Sequence, residues 1–302
     1  GASTGTPSYT YYLLKRSDYP RPRAPEKWLL LASAGGRLGN LMWAYASVVG
    51  IALRLRVEPI VRSQQYEELI AIFPGANVIM YNPPCARRTY TGKCVPPTIV
   101  SEFAPQQFDR NVAAIRPNTG IHGYLQSHRY FENHTTEIRE MYRFHPKLQA
   151  RAQDFIRPHK FSGNVVVALH LRRGDVETVA SVSVAYFRRA CKRMDEIFAG
   201  RNLSYILMGG GHSDRKRDVG DFLWAQNNIP VSFIPTPLYH MPSLDMAIMV
   251  HSDAVIISAG SFGFWGAYLN NKVCIAPNCG LEKTTRLRID DYYPPWCERL
   301  EC

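Results

Sequence analysis

The sequence of 302 residues has no apolar run long enough to cross a membrane, and its longest mostly apolar stretch is residues 41–53. A membrane-spanning helix needs about 20 apolar residues, so this stretch predicts a buried helix. The chain opens with Gly instead of Met, and residues 1–8 are small and polar. We therefore expect a soluble chain whose only link to a membrane is an N-terminal anchor missing from this sequence.

Three cofactor and metal motifs are also missing. The glycine-rich loops lack the GxGxxG spacing, which argues against a nicotinamide or flavin enzyme. The seven cysteines include no CxxC pair, which argues against a zinc site. No DxD run follows a predicted strand, because Asp290-Asp291 lies in a tail rich in Pro and Tyr and predicts a turn. We therefore expect neither a cofactor nor a metal.

Acidic residues are too few to balance the basic ones. Lys and Arg total 36 against 25 Asp and Glu, which leaves a formal net charge of +11 and favours anionic ligands. The basic residues are scattered in short groups instead of the dense stripes typical of nucleic-acid binders. We therefore expect an anionic partner other than nucleic acid.

The cysteines and two sequons point to an oxidising compartment. Cys85 and Cys94 bracket a turn-rich stretch. Four more lie near the C-terminus: Cys274, Cys279, Cys297 and Cys302. This pattern favours local disulfides, with seven buried thiols as the alternative. Glycosylation sequons at Asn133 and Asn202 agree with a protein of the secretory pathway.

Alternating strand and helix patterns predict an α/β fold with two Rossmann-like, doubly wound domains that face each other across a cleft. Predicted strands cover residues 28–32, 57–61, 165–169, 205–208, 231–234, 254–258 and 273–276. Predicted helices cover residues 41–55, 135–142, 146–156, 184–198, 214–226, 243–251 and 262–269. Residues 66–119 are only weakly periodic and are left unassigned.

Composition shifts suggest the domain boundaries. Residues 1–26 are predicted to be a stem that ends in a Pro-rich linker. Residues 27–145 form the first domain and residues 146–280 the second. Residues 281–302 are a tail that could return to the first domain.

The run HLRRGD, residues 170–175, directly follows the predicted strand 165–169. Open parallel sheets bind ligands at the carboxyl ends of their strands. Arg172 and Arg173 offer planar forks of donors that match a phosphate and stay charged. The run therefore predicts an anion site, with a surface pair bridged to Asp175 as the alternative.

Two further glycine-containing loops join a strand to a helix. Residues 259–263, AGSFG, place Ser261 and Phe262 at a helix N-terminus, which favours phosphate binding. Alternatively, Ser261 only caps that helix. Residues 35–40, GGRLGN, bring Gly36, Arg37 and Asn40 to a similar position.

These three loops, and residues 123–127 running into Tyr130-Phe131, resemble glycosyltransferase family 11, the family of α-1,2-fucosyltransferases. The resemblance spans about residues 30–280 in the expected order. With the family's relatives, the α-1,6- and protein O-fucosyltransferases, it implies a GT-B fold. It also implies inverting, metal-independent transfer of L-fucose from GDP-β-L-fucose to the 2-hydroxyl of a terminal galactose on a glycan. Animal members are typically type II Golgi membrane proteins with a luminal catalytic domain, which implies the same location here.

The resemblance also implies roles for individual residues on the donor side. Arg172 and Arg173 match the arginines that hold the donor diphosphate, and Ser261 with Phe262 match a phosphate loop. His170 would lie near the nucleotide, and Gly36, Arg37 and Asn40 would complete the donor site.

Guanine recognition is implied for Asp245, because guanine presents N1–H and an N2 amino group as paired donors. The alternative is a solvated helix Asp. Inverting transfer requires loss of a proton from the acceptor hydroxyl. Asp175 and Glu177 are the candidates for that base, beside the catalytic arginines Arg172 and Arg173.

Three functional alternatives stay open. The chain could transfer fucose to another hydroxyl, as in α-1,6 transfer. It could act on Ser or Thr of a folded domain. It could also be a glycan- or nucleotide-binding protein without turnover. The loops between residues 66 and 119 are expected to select the acceptor.

Overall fold

A computed structural model describes residues 25–33, 35–81, 97–161, 163–172, 182–209, 215–236, 241–278 and 288–302, with the short pieces 83, 85, 87–88, 90–92 and 94–95. The stem predicted at residues 1–26 lies almost wholly outside this range, and so does the first part of the predicted tail.

The first half of the chain forms a parallel sheet of five strands with the order β3-β2-β1-β7-β6. Its strands are β1 (Trp28–Ser33), β2 (Glu58–Val61), β3 (Ile79–Met80), β6 (Thr98–Ser101) and β7 (Thr119–His122). A separate antiparallel pair is formed by β4 (Arg87–Arg88) and β5 (Cys94–Val95). The helices are α1 (Leu38–Leu55), α2 (Glu67–Ile72), α3 (Arg110–Ala113) and α4 (Thr135–Met141).

The second half forms a parallel sheet of six strands with the order β10-β9-β8-β11-β12-β13. Its strands are β8 (Val165–Leu171), β9 (Leu203–Gly209), β10 (Phe233–Pro235), β11 (Ala254–Ile257), β12 (Val273–Pro277) and β13 (Glu298–Leu300). The helices are α5 (Pro146–Phe161), α6 (Val184–Ile197), α7 (Arg215–Asn228), α8 (Pro242–His251), α9 (Ser261–Asn270) and α10 (Ile289–Tyr292). The predicted pair of parallel sheets is therefore confirmed.

Local sequence explains the central elements of both sheets. Every residue of β8 is buried, as expected for a β-branched, apolar strand covered on both faces. In α6, Ser183 caps the helix by accepting a hydrogen bond from the Tyr186 N–H. Its buried side chains recur at helical spacing and form one stripe: Tyr186, Phe187, Ala190, Cys191 and Met194.

Helix α1 is apolar and long enough to cross a membrane by length and composition. It is instead a core helix, because most of its residues from Leu38 to Ala52 are buried. It packs on β1, β2 and the N-terminal half of the α9 helix from the other sheet. Trp43 of α1 stacks on Phe264 of α9 with ring centroids 4.0 Å apart. One continuous core therefore joins the two halves and fixes the N-termini of α1 and α9 relative to each other.

The elements that were predicted differ from the observed ones mainly at their ends. Helix α1 begins at Leu38, inside the predicted loop 35–40. Strand β8 continues to Leu171, so His170 lies within the strand and not after it. The sequence prediction lacked nine short elements that have no regular apolar pattern: β3, β4, β5, β6, β7, β13, α2, α3 and α10.

The C-terminal tail corrects one expectation. Asp290 and Asp291 lie within helix α10 instead of forming a turn, and Asp291 is buried. The Asp291 carboxylate accepts hydrogen bonds from the Phe108 N–H at 2.9 Å and from Arg129 at 3.0 Å, so the tail packs on the first half of the chain.

Cysteine pairing is predicted only in part. Cys274 and Cys297 form a disulfide between β12 and the segment before β13, and Cys302 is disulfide-bonded as well. Local staples near the C-terminus are thus confirmed. Cys85 has a free thiol, so the staple expected around Cys85 and Cys94 is wrong. Cys191 is a buried free thiol.

Candidate functional site

Along each sheet, the direction in which successive strands are added changes at one place. The loops of residues 35–40, 170–175 and 259–263 follow or continue strands next to these two places. In the second sheet the reversal falls between β8 and β11, and in the first between β1 and β7. Ligands of open parallel sheets bind in the crevice at the carboxyl ends of the strands next to such a reversal. The topology therefore brings the loops after β1, β7, β8 and β11 to the ligand-binding edges.

His170 and Arg172 are fixed by the neighbouring strand. Ser258, directly after β11, accepts a hydrogen bond from the Arg172 N–H at 3.0 Å. The Ser258 hydroxyl also lies 3.2 Å from Nδ1 of His170. His170 and Ser258 are almost fully buried, whereas Arg172 is partly exposed. The strand pair thus holds a buried imidazole and presents one guanidinium at the edge of the sheet.

The N-terminus of α9 is packed against these two side chains. Gly260 occupies the N-cap position with φ +130°, and a Cβ there would lie 2.7 Å from Nη1 of Arg172. A Cβ on Gly263 would lie 2.7 Å from Nδ1 of His170. Glycine at both positions is what allows His170 and Arg172 to approach the first turn of the helix. Because Gly260 has no side chain, it cannot cap the N–H groups of that turn, which favours an anion.

The N-terminus of α1 meets the N-terminus of α9. A Cβ on Gly39 would lie 2.8 Å from the Phe262 nitrogen. The Ser261 hydroxyl donates to Oδ1 of Asn40 at 2.7 Å, and Nε1 of Trp265 donates to the Gly39 carbonyl at 3.1 Å. Two positive helix ends and Arg172 therefore converge, which makes this region attractive to anions.

Gly36 and Arg37 belong to the same loop. Gly36 has φ +111° and packs so closely on the Asn40 side chain that no Cβ would fit. Arg37 is exposed and forms the N-cap of α1. The structure thus brings Gly36, Asn40, Ser261 and Phe262 together with His170 and Arg172.

The loop after β7 supports Asn40 from the other side. Gln126 is buried, and its Nε2 donates to Oδ1 of Asn40 at 3.0 Å. Glu102, at the end of β6, accepts hydrogen bonds from the N–H groups of Tyr124 and Leu125. Burial raises the pKa of Glu102 to about 7, although these two hydrogen bonds act in the opposite direction. Leu125 has φ +52°, so a desolvated carboxylate holds a strained loop in place.

Asp245 is buried in the first turn of α8. The helix precedes β11, so its N-terminus lies at the carboxyl edge of the second sheet, the edge that also carries Arg172. Burial excludes the alternative of a solvated helix Asp.

Tyr292 of α10 and Gln126 were missed by sequence reasoning. Burial raises the pKa of the Tyr292 hydroxyl above its ordinary value, and the positive charge of Arg172 acts against that shift, so Tyr292 lies within electrostatic range of Arg172. Gln126 lies within residues 123–127, which carry part of the family resemblance and so could have indicated a site residue. The Tyr292 segment gave no signal, because a short helix in a Pro- and Tyr-rich tail has no periodicity.

Arg173, Asp175 and Glu177 lie outside the described residues. Within the described part of the chain, no group of three or more His, Cys, Asp or Glu side chains is arranged to hold a metal ion. The predicted glycosylation residues Asn133 and Asn202 are both exposed.

The family model for glycosyl transferase family 11 matches residues 33–297, which includes all of these loops. The chain belongs to glycosyltransferase family 11. It is therefore a glycosyltransferase.

Similar sequences carry consistent names. Galactoside alpha-(1,2)-fucosyltransferase 2 of Sus scrofa is 24% identical over 279 residues, which cover 87% of this chain and 76% of that protein. Galactoside 2-alpha-L-fucosyltransferase SEC1 of Bos taurus is 24% identical over 264 residues, which cover 83% and 67%.

Two solved structures share the fold. A family 9 glycosyl transferase of Veillonella parvula matches with a TM-score of 0.53 and 10% identity, covering 94% of this chain and 88% of that chain. A mutant of Arabidopsis thaliana FUT1 in complex with GDP matches with a TM-score of 0.50 and 10% identity, covering 82% and 69%. The predicted GT-B type of fold is confirmed.

Proposed function

We propose that this glycosyltransferase transfers L-fucose from GDP-β-L-fucose to the 2-hydroxyl of a terminal galactose on a glycan. We further propose that transfer inverts the anomeric carbon and needs no metal. Membership of family 11 and the names of the Sus scrofa and Bos taurus relatives support the sugar and the linkage. The FUT1 structure that shares the fold holds GDP, which supports the nucleotide.

The observation that carries the donor assignment is the convergence of two uncapped helix N-termini with Arg172. In the proposed complex, the N–H groups of Ser261 and Phe262 bind the diphosphate, with Arg172 and Arg173 as charged partners, while the Ser261 hydroxyl keeps its hydrogen bond to Asn40. His170 packs beneath them and orients the loop through Ser258. Gly36, Arg37 and Asn40 close the site from the first sheet.

Guanine recognition is assigned to Asp245 in this proposal. A carboxylate can accept hydrogen bonds from the guanine N1–H and N2 amino group together, a pair of donors that adenine and uracil lack. The position of Asp245 at the start of α8, on the ligand-binding edge of the second sheet, supports this role.

Catalysis follows from charge development on the leaving group. As the bond between fucose and GDP breaks, negative charge grows on the diphosphate, so fixed guanidinium groups and helix N-termini bind the transition state more tightly than the substrate. The acceptor 2-hydroxyl attacks the anomeric carbon from the opposite face and loses its proton. Asp175 and Glu177 remain the proposed candidates for the base.

The proposed compartment is the Golgi lumen, with the chain attached through an N-terminal anchor. The Cys274–Cys297 disulfide supports an oxidising environment. Exposed Asn133 and Asn202 are accessible for glycosylation, and the named relatives come from mammals.

A single assay tests the proposal. The protein is incubated with GDP-fucose and EDTA and offered acceptors that end in galactose, N-acetylglucosamine or a folded peptide domain, and the new linkage is located by NMR. We expect an α-1,2 linkage to galactose, loss of turnover in Arg172→Ala and Arg173→Ala, and normal turnover in the exposed control Arg188→Ala. Transfer to another hydroxyl or to peptide would refute the acceptor assignment. GDP binding without any product would indicate a non-catalytic protein.

A further inference from the structure

Two exposed aromatic side chains at the carboxyl edge of the first sheet have no part in the donor site. Phe103 follows β6 and is 74% exposed, and Tyr124 follows β7 and is 38% exposed. Two exposed aromatic side chains that follow neighbouring strands at the ligand-binding edge of a sheet offer an apolar surface to a ligand.

Phe103 and Tyr124 follow the ends of two neighbouring strands at the same level of the sheet. Strands β6 and β7 are parallel, and their last register pair is Ser101 with His122. The Glu102 N–H continues the ladder by donating to the His122 carbonyl at 3.0 Å. Phe103 and Tyr124 each lie two residues beyond that last pair, so their backbones remain adjacent.

Carboxylates fix the backbone under both rings. The Phe103 N–H donates to Oδ2 of Asp109 at 3.0 Å. The Tyr124 N–H donates to the carboxylate of Glu102, which packs directly against Gly123. Both aromatic residues therefore have exposed side chains on a held backbone, a combination that reduces the entropy lost when a ligand binds.

The same loop leads directly to the donor site. Gln126, two residues after Tyr124, donates to Asn40, which in turn accepts from Ser261 at the N-terminus of α9. The aromatic pair is thus connected to the proposed phosphate loop through two hydrogen-bonded side chains. A molecule lying on the pair would be at the first-sheet side of the donor.

We infer that Phe103 and Tyr124 form the binding surface for the terminal galactose of the acceptor. This inference rests on the proposed function. Galactose has an axial 4-hydroxyl, so the opposite face of its ring presents several C–H groups and is apolar. C–H groups with partial positive charge are attracted to the negative face of an aromatic ring. A galactose that stacks by this face keeps its equatorial 2-hydroxyl at the edge of the ring, free to reach the donor.

The test compares Phe103→Ala and Tyr124→Ala with the wild-type protein in the presence of GDP. Binding of a β-galactoside such as lactose is measured by ligand-observed NMR, and GDP binding is measured by calorimetry. We expect the galactoside Kd of each variant to rise by about five- to tenfold, because one aromatic contact is lost. The GDP Kd should change by less than about twofold, since the donor loop is untouched.

Conservative and control variants separate stacking from general damage. Tyr124→Phe keeps the ring and should bind the galactoside like the wild-type protein. Leu223→Ala removes another exposed apolar side chain, on α7 in the second half of the chain, and should change neither Kd.

Two results would overturn the inference. One is a wild-type protein that binds GDP but no β-galactoside, and the other is an alanine variant with an unchanged galactoside Kd. Because binding is measured without turnover, these results are independent of whether transfer occurs. Galactoside binding that depends on Phe103 and Tyr124, without product from GDP-fucose, would support this surface while refuting the proposed reaction.

Discussion

Asn40 accepts the hydroxyl hydrogen of Ser261 at 2.7 Å across 221 positions of sequence. The same amide oxygen accepts from Nε2 of Gln126 at 3.0 Å. One side chain at the start of α1 therefore joins the loop after β7 to the first turn of α9. Because these are the loops at the strand reversals of both sheets, Asn40 sets the geometry of the whole proposed donor site.

Replacement of Asn40 and Ser261 should therefore weaken GDP binding in a coupled way. We expect Asn40→Ala and Ser261→Ala each to raise the GDP Kd about fivefold, since a hydrogen bond contributes about 1 kcal/mol. The GDP Kd of the double variant should rise by clearly less than the product of the two single-variant increases, because the two residues share one interaction. Calorimetric titration with GDP measures all three. Asn111→Ala, at an exposed position of α3, is the control.

Full additivity of Asn40→Ala and Ser261→Ala would contradict this prediction. It would mean that the two side chains contribute to GDP binding independently, and that their hydrogen bond does not organise the phosphate loop.

A side chain at Gly260 should weaken GDP binding because it would displace Arg172, and this effect can be separated from backbone strain. Its φ is +130°, and a Cβ would meet Arg172. Gly260→Ala should raise the GDP Kd tenfold or more, because the guanidinium must move away from the α9 N-terminus. Gly200 has φ +77° but open space around its Cβ position. Gly200→Ala should lower the free energy of unfolding by about 1 kcal/mol and leave GDP affinity unchanged.

Thermal unfolding and GDP calorimetry distinguish the two glycine variants. If Gly200→Ala weakened GDP binding as much as Gly260→Ala, the effect would come from general destabilisation and not from displacement of Arg172.

The sequence predicted the parts of the site that depend on local order. His170, Arg172 and Ser261 directly continue or follow strongly apolar strands, so their position at a carboxyl edge follows from the chain order alone. Gln126 and Tyr292 join the site through contacts with distant segments, and neither lies in a periodic pattern. Strand β6 has mostly exposed residues, so it lacked the alternation that identifies a strand, and Glu102 and Phe103 at its end were missed with it.

Glu102 should make stability depend on pH. Its pKa in the folded protein is about 7, above the ordinary value of 4.5 for a Glu, chiefly because the carboxyl is buried and also because Asp109 is near. Between these values the Glu102 carboxyl is protonated in the folded protein and ionised in the unfolded chain. Its contribution to the free energy of unfolding therefore falls as the pH rises from about 4.5 to 7 and is constant above about 7. Glu102→Gln, which does not titrate, should lack this part of the slope.

Urea unfolding at several pH values between 4.5 and 8 measures the difference between wild type and Glu102→Gln. The free energy of unfolding of the wild type should fall relative to that of Glu102→Gln as the pH rises to about 7. A difference that does not change with pH would show that Glu102 has an ordinary pKa in the folded protein.

The Cys274–Cys297 disulfide should stabilise both the fold and the donor site. It joins two residues with a sequence separation of 23. A cross-link of this length should stabilise the folded state by about 3 kcal/mol, because it lowers the entropy of the unfolded chain. Within this loop, α10 carries Asp291, which is hydrogen-bonded to Arg129 and Phe108, and Tyr292, which lies within electrostatic range of Arg172. The double variant Cys274→Ala with Cys297→Ala should therefore lose about 2–4 kcal/mol of unfolding free energy and bind GDP more weakly.

Cys191→Ala is the matched control for that variant, because it removes a buried thiol that belongs to no disulfide. It reports the cost of the small cavity alone, which should be about 1 kcal/mol. Urea unfolding gives the stabilities, and calorimetry gives the GDP Kd. If the disulfide variant lost no more stability than Cys191→Ala and bound GDP normally, α10 would be held by its own contacts with Arg129, Phe108 and the aromatic core. The cross-link would then not be needed to keep Tyr292 in its place near the donor site.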